Sequence, residues 1–339
     1  MLSNPDCVST GRLPDPVLVR ELVSRAHARF LAEDGGRVAD YIPALAAVPP
    51  NLFGICVAGT RGERVAAGDS DYPFSIQSVS KPFMFALVCQ AIGEDDARDK
   101  LGVNSTGLPF NSVIAVERAA DGLTNPMVNA GAIAATSLAP GDSFEAKWRS
   151  IQDGFSRFAG RSLDLDEAVY RSEAATNQAN LNVASLLDGY QRIYWDPIEA
   201  TDLYTRQCAL SVTAQDLAMM AATLANGGVN PLTREHVIDA GHCEHVLAVM
   251  VTAGLYESSG DWLYEMGLPG KSGVSGCMIT VAPGKGALAT FSPPLDEAGN
   301  SVRGQLTARL LSAELGLNLF ASRPADPAGM EPRPLQGIR

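Results

Sequence analysis

A chain of 339 residues, 46% apolar and 19% charged, has ample material for a folded core and reads as globular rather than disordered. Its 38 acidic and 26 basic side chains leave a net charge of −12, which repels phosphate backbones and argues against nucleic acid as a partner. No apolar stretch approaches the roughly 20 residues of a membrane span, and Met1–Thr10 is polar, without the basic segment and apolar run of a signal peptide.

The opening segment is expected to be loose as far as Asp15-Pro16, an N-cap followed by a first-turn proline. Leu18, Leu22, Ala26 and Phe30 then recur at helical spacing and predict an amphipathic helix stopped by Gly35-Gly36. Leu52–Ala58 and Arg64–Ala67 predict two strands joined through Thr60-Arg61-Gly62, and a third apolar piece, Tyr72–Ile76, leads into a helix beginning near Ser78. Helices are predicted at Val79–Ile92, Val128–Ser137, Phe144–Phe158, Asn177–Tyr190 and Thr213–Ala225, the last ended by Asn226-Gly227-Gly228. The charged run Glu94–Arg98 predicts a solvated loop. Cys277–Val281 and Ala287–Phe291 predict a hairpin around Pro283-Gly284-Lys285-Gly286. Val302, Leu306, Leu310 and Ala313 predict a closing helix stopped by Gly316, and from Ser322 the chain is a proline-rich tail expected to be disordered.

Strands at both ends with helices between them predict an α+β (α/β) fold, in which a sheet from the two chain ends is flanked by the terminal helices and carries an inserted helical lobe. The expected division is a sheet lobe of about 12–77 and 256–320 and a helical lobe of about 78–255, with a site in the cleft between them. Six cysteines (Cys7, Cys56, Cys89, Cys208, Cys243, Cys277) are scattered without a CxxC pair, which fits free thiols in a reducing, cytoplasmic setting.

The stretch Phe74-Ser75-Ile76-Gln77-Ser78-Val79-Ser80-Lys81 carries the chemistry. Ser78 and Lys81 are one helical turn apart on one face. A serine hydroxyl needs a neighbour to take its proton, and a lysine does so once burial lowers its pKa. Free N–H groups at the helix start can hold an oxyanion. Alone, the pair is a weak signal and better fits a capping serine followed by a surface lysine. Lys271-Ser272-Gly273, before the hairpin, supplies a second element, since SxxK early and K-[ST]-G late on a strand edge is the pairing of serine β-lactamases and penicillin-binding proteins. With only four histidines in the chain, a Ser-His-Asp triad is disfavoured and lysine is the plausible base. His242-Cys243-Glu244-His245 reads as a helix face before Val246–Met250 rather than a metal site, because His27 and His236 are isolated and nothing completes four ligands.

Between about Tyr41 and Gly304 the chain resembles the serine-dependent glutaminase family, which has a β-lactamase/transpeptidase-like fold. The resemblance rests on Asp40–Pro43, Gln77–Lys81, Asn125–Ile133, Met220–Gly228, Gly267–Val274 and Phe291–Asp296, in the family's order and spacing. It implies one glutaminase domain over residues 1–321 that hydrolyses the side-chain amide of L-glutamine through a glutamyl-enzyme ester. By position, Ser78 resembles the nucleophile and Lys81 its general base. Tyr41 and Tyr256 resemble the tyrosines bordering the reacting carbonyl, Tyr256 also moving a proton. Asn129, Glu173, Asn180 and Tyr204 resemble the substrate-holding groups, and the Val274 N–H a second oxyanion donor beside that of Ser78. No metal or cofactor is implied, and the resemblance suggests a homodimer or homotetramer with no membrane partner. One departure is Ala179, where the family often has arginine. Two other readings stay open on sequence: a β-lactamase or peptidoglycan peptidase with the same Ser/Lys chemistry, and a non-catalytic glutamine or glutamate sensor.

Overall fold

The computed structural model describes residues 11–321 apart from 110, 111, 113 and 119. Met1–Thr10 with Cys7, and the proline-rich stretch 322–339, lie outside the described residues. In chain order the helices are α1 (Pro16–Phe30), α2 (Pro43–Ala46), α3 (Ser80–Ile92), α4 (Glu94–Leu101), α5 (Ile114–Arg118), α6 (Asn129–Ser137) and α7 (Phe144–Ala159). They continue with α8 (Glu167–Ala174), α9 (Gln178–Gly189), α10 (Pro197–Cys208), α11 (Ala214–Ala225), α12 (Ala240–Ala253), α13 (Ser259–Met266) and α14 (Val302–Glu314). The strands are β1 (Gly54–Gly59), β2 (Arg64–Gly68), β3 (Phe74–Ser75), β4 (Ser211–Val212), β5 (Gly270–Gly273), β6 (Cys277–Ala282) and β7 (Gly286–Phe291).

Strands from the two ends of the chain join in a five-stranded antiparallel sheet, order β2-β1-β7-β6-β5. This is the mixed α/β architecture expected. Strand alternation sorts its two faces. Ile55, Val57, Met278 and Leu288 pack with Leu22 and Val23 of α1, Trp262 of α13 and Leu311 of α14. Cys56, Ala58, Ile279, Val281, Ala289 and Phe291 point the other way, into a larger core shared with α3, α6, α7 and α11. Alanine-rich α11 (AQDLAMMAATLA), buried apart from Gln215, packs against β1, β6 and β7, its small side chains allowing close approach to the sheet. At the centre of the helical packing, Phe83 lies 6.2 Å from Phe155 and 5.1 Å from Phe158, ring to ring. Burying each such ring contributes about 2–3 kcal/mol.

The first helix begins as expected, Asp15 accepting from the Val17 N–H at 2.8 Å. Its buried stripe is Val19, Leu22, Val23 and Ala26, whereas Leu18 is 43% exposed. On α14 the buried face is likewise Thr307, Ala308, Leu310 and Leu311, with Ala313 exposed. The Glu94–Arg98 run is solvated but helical: it forms α4, anchored by buried Ala97 and Leu101. The piece expected at Tyr72–Ile76 contributes only β3, which pairs with β4 in a separate two-stranded ribbon. His242, Cys243 and His245 lie on α12. Cys243 is buried in the core, His242 Nδ1 is 3.0 Å from Glu94, and His245 contacts the Gly241 carbonyl.

Candidate active site

The nucleophile candidate sits on a strained corner. Ribbon β3–β4, continued by the Ile76 N–H donating to Leu210 O at 2.9 Å, delivers the chain to a 3-10 turn at Gln77–Val79. Gln77 is held at φ +49°, an unusual value for a residue with a side chain. The α-helix proper starts at Ser80, so Ser78 lies on the tight turn and Lys81 on the first turn of α3. In 3-10 geometry residues three apart eclipse, which brings the two to one side. Ser78 is 6% exposed and Lys81 1%.

Edge strand β5 closes the other side. Gly273 leaves little room for a side chain: a Cβ would stand 2.9 Å from Cys277 Sγ, 3.2 Å from Ile76 O and 3.3 Å from Gln77 Cβ. Immediately after it, Val274 lines a cavity of about 330 Å³ together with Ser78. Among the described residues, neither the Ser78 nor the Val274 N–H enters a backbone hydrogen bond of the turns and loops.

The rest of the cavity wall comes from α6, α8, α9 and α10. Asn129 opens α6, Glu173 is near the end of α8, Asn180 is in the first turn of α9, and Tyr204 is on α10; all four face the same space. Asn129, Asn180 and Tyr204 form a connected polar chain with Lys81, and Glu173 belongs to a separate pair with Gln77. Lys81 Nζ donates to Asn129 Oδ1 at 2.7 Å, Tyr204 OH donates to the same oxygen at 3.3 Å, and Asn129 Nδ2 donates to Asn180 Oδ1 at 3.1 Å. Gln77 Nε2 donates to Glu173 and, at 3.1 Å, to Ser75 Oγ. Tyr41, 56% exposed, stands at the rim, its loop tied to α8 by the Ala44 N–H donating to Ser172 Oγ at 3.2 Å.

Tyr256 approaches from behind. Its backbone is also left-handed, at φ +59°. Its phenol is hydrogen-bonded to Ser78 and donates to Ser272 O at 3.2 Å. Lys271 lies 4.1 Å from the centre of the Tyr256 ring and donates to Gly254 O at 2.8 Å and Ser272 O at 2.9 Å.

Burial dominates the electrostatics. It lowers Lys81 to about 7, so that a large fraction of this amine is neutral near physiological pH. It raises Glu173 to about 7 against the opposing hydrogen bond from Gln77. Tyr256 is pushed up to about 12 by burial, moderated by its bonds to Ser78 and Ser272, and stays a protonated donor at neutral pH. Lys271 is held well below an ordinary lysine by burial and then by the charge of Lys81. The phenol thus meets the Ser78 hydroxyl directly, and the lowered amine of Lys81 is held on Asn129 of the same cavity wall. Among the described residues, no three His, Cys, Asp or Glu side chains come together as metal ligands.

Of the residues singled out in the sequence, Tyr41, Ser78, Asn129, Glu173, Asn180, Tyr204 and Val274 share the cavity wall. Lys81 and Tyr256 reach it through hydrogen bonds to Asn129 and Ser78. Ala179 is on the wall as well, so the position departing from the family pattern faces the same space. Sequence reasoning missed Gln77, Asn177 and Cys208 as wall residues. Gln77 adjoins Ser78 and Cys208 follows Tyr204 by one helical turn, a spacing that could have found it.

The Glutaminase family model matches residues 36–320. The chain belongs to the glutaminase family. It is 62% identical over 319 residues to Glutaminase 2 of Yersinia pestis, covering 94% of each chain. It is 48% identical over 305 residues to a glutaminase of Brucella canis, covering 90% of this chain and 96% of the other. The solved structure of a probable glutaminase, ybaS, superposes with a TM-score of 0.89 at 45% identity, covering 91% of this chain and all (100%) of that one. A probable glutaminase from Bacillus subtilis complexed with 6-diazo-5-oxo-L-norleucine matches with a TM-score of 0.79 at 30% identity, covering 90% of this chain and 96% of that one. The solved glutaminases share the β-lactamase-like fold expected from the paired SxxK and KSG elements.

Proposed function

We propose that the protein hydrolyses the side-chain amide of L-glutamine to L-glutamate and ammonia, with Ser78 as nucleophile. The observation that carries this reading is one cavity in which Ser78 faces a carboxylate, two amides and a phenol, backed by a lysine lowered to about 7. Glu173 pairs with the substrate ammonium. Asn129, Asn180 and Tyr204 hold its remaining polar atoms, and such buried polar groups reject a ligand that leaves them unmatched.

In the first step Ser78 Oγ attacks the amide carbon while Lys81 Nζ takes its proton. The carbonyl oxygen becomes an oxyanion between the N–H groups of Ser78 and Val274. Collapse breaks the C–N bond, and the leaving nitrogen is protonated by the Tyr256 phenol or by Lys81. Water then cleaves the glutamyl ester, giving glutamate and restoring Ser78. Tyr41 borders the reacting carbonyl from the rim. No metal or cofactor enters the scheme. We read residues 1–321 as one catalytic domain acting in the cytoplasm as a homodimer or homotetramer. The five free, buried cysteines among the described residues support a reducing setting.

The test is ammonia release from glutamine, with asparagine as control, followed across pH. The acid-side sign is set by two groups. Lys81 accepts a proton only when neutral, above about 7, and Glu173 pairs with an ammonium only when ionised, above about 7. kcat/KM is therefore expected to fall as pH drops through 7, with a logarithmic slope steeper than one. Glu173→Gln removes one of the two ionisations, so the limb becomes shallower while KM rises about 10–100-fold. A flat profile between pH 6 and 8, or no ammonia from glutamine, contradicts the reading.

A further inference from the structure

The strand that presents Val274 is held by a residue outside the cavity. Ser272, two positions before Val274, is fully buried, and its hydroxyl donates to Asn300 Oδ1 at 2.5 Å. Asn300 is itself fully buried, in a turn that Asp296 closes on both sides. Asp296 Oδ1 accepts from the N–H groups of Ala298 and Asn300 at 3.0 and 2.9 Å, its N–H donates to Asn300 O at 2.9 Å, and its Oδ2 accepts from Gln305 of α14 at 2.7 Å. The turn is thus locked to the C-terminal helix before it reaches Ser272.

A second, independent set of contacts ties the same turn to the same corner. The Val274 side chain packs in a small cluster with Leu295, Ala39, Ile42 and Leu45, separate from the two main cores. Leu295 also exchanges backbone hydrogen bonds of 2.9 Å in both directions with Arg37, in the segment leading to Tyr41. Gly299 faces both key side chains: a Cβ added there would be 3.9 Å from the Tyr256 ring and 4.0 Å from Val274. Hydrogen bond on one flank and apolar packing on the other leave Val274 little freedom to turn.

We propose that Asn300 is a positioning residue for the reaction: through the Ser272 hydroxyl it fixes the end of β5 and so the aim of the Val274 N–H at the oxyanion. This rests on the reading of Val274 as an oxyanion donor given above. Asn300 is not on the cavity wall. Its loss should therefore lower kcat and leave the binding of glutamine and glutamate nearly intact, because the oxyanion exists only on the way through the reaction.

The experiment compares Asn300→Ala, Asn300→Asp, Ser272→Ala and the Ser272→Ala/Asn300→Ala double variant in the full chain. Asn300→Ala is expected to lower kcat about tenfold or more, short of the 10²–10³ that loss of an entire oxyanion donor brings. KM for glutamine and the Kd of glutamate should stay within about threefold. Asn300→Asp keeps the acceptor and should recover most of the rate. The double variant should be no slower than the worse single one, since both remove one link. A kcat within about twofold of the parent for Asn300→Ala, losses that multiply in the double variant, or KM and Kd rising in step with the fall in kcat would each overturn the proposal. If Asn300→Ala fails to fold by circular dichroism, Ser272→Ala and Asn300→Asp decide by the same kcat and KM criteria. Ser78→Ala separates the two levels: an inactive Ser78→Ala beside unaffected Asn300 variants sinks only the Asn300 role, whereas an active one sinks the reading beneath it.

Discussion

Ser78→Ala is expected to reduce glutamine turnover by about 10⁴-fold or more while glutamate still binds with near-parental affinity. The physical reason is that alanine removes the only atom of Ser78 able to form the acyl bond, yet leaves the wall that holds the amino acid. Glu173, Asn129, Asn180 and Tyr204 come from four helices separate from the nucleophile turn, and none depends on the Ser78 hydroxyl for its position. The change disturbs Tyr256, which keeps its bond to Ser272 O. Hydrogen replaces hydroxyl at little cost in packing, so melting temperature should hardly move. Ammonia release in a coupled assay and glutamate calorimetry read the two halves of this expectation. Residual turnover within about a hundredfold of the parent would mean that another group or a bound water attacks the amide.

Lys81→Arg should lower turnover by about 10³-fold, and Lys81→Met by a similar amount, although arginine keeps the positive charge. In the proposed reaction Lys81 is the base, and burial lowers it to about 7. A guanidinium stays protonated in the same place, so it can donate to Asn129 but cannot receive the serine proton. Raising the pH therefore does not rescue Lys81→Arg. The paired variants separate charge from basicity: if Lys81 acted only as a fixed cation, arginine would preserve the rate and methionine would not. An arginine variant within about tenfold of the parent would assign proton transfer to another group, Tyr256 being the nearest candidate.

The parts of the fold legible in the sequence were those whose partners are close in the chain or whose apolar period is strong. The hairpins β1–β2 and β6–β7 and the helices α3, α6, α7, α9 and α11 fall within a few residues of their expected bounds. Helix α4 escaped because its buried contribution is only Ala97 and Leu101, too little for a visible stripe. Its charge order, with Glu94, Asp95 and Asp96 in the first turn and Arg98 and Lys100 in the last, complements a helix dipole and was the better signal. Helices α8 and α10 carry Asp166 and Asp196 as N-caps, the second followed by a proline, and caps of this kind could have marked them. On α1 two apolar stripes compete, and packing against the sheet selects the one through Val19 and Val23.

At the site, motif strings brought the chemistry-bearing residues to notice, since Ser78, Lys81 and the KSG strand each have a stated job. What they could not show is tertiary. The pairing of β3 with β4 joins segments far apart in the chain. Nothing about a glutamine predicts the left-handed backbone at Gln77, which only the surrounding packing imposes. Asn300 carries no reactive group, and its relation to Val274 appears only once Ser272 is seen between them.

Covalent labelling tests most directly whether the serine on this turn is the group that forms the acyl bond. 6-Diazo-5-oxo-L-norleucine presents a glutamine-like head with an electrophilic diazoketone in place of the amide. Incubation should inactivate the enzyme with one label per chain, mapped by peptide mass spectrometry to Ser78, and glutamate should slow the labelling. Ser78→Ala should take up none. A label on any other residue, or equal labelling of the alanine variant, would contradict the assignment of Ser78 as nucleophile.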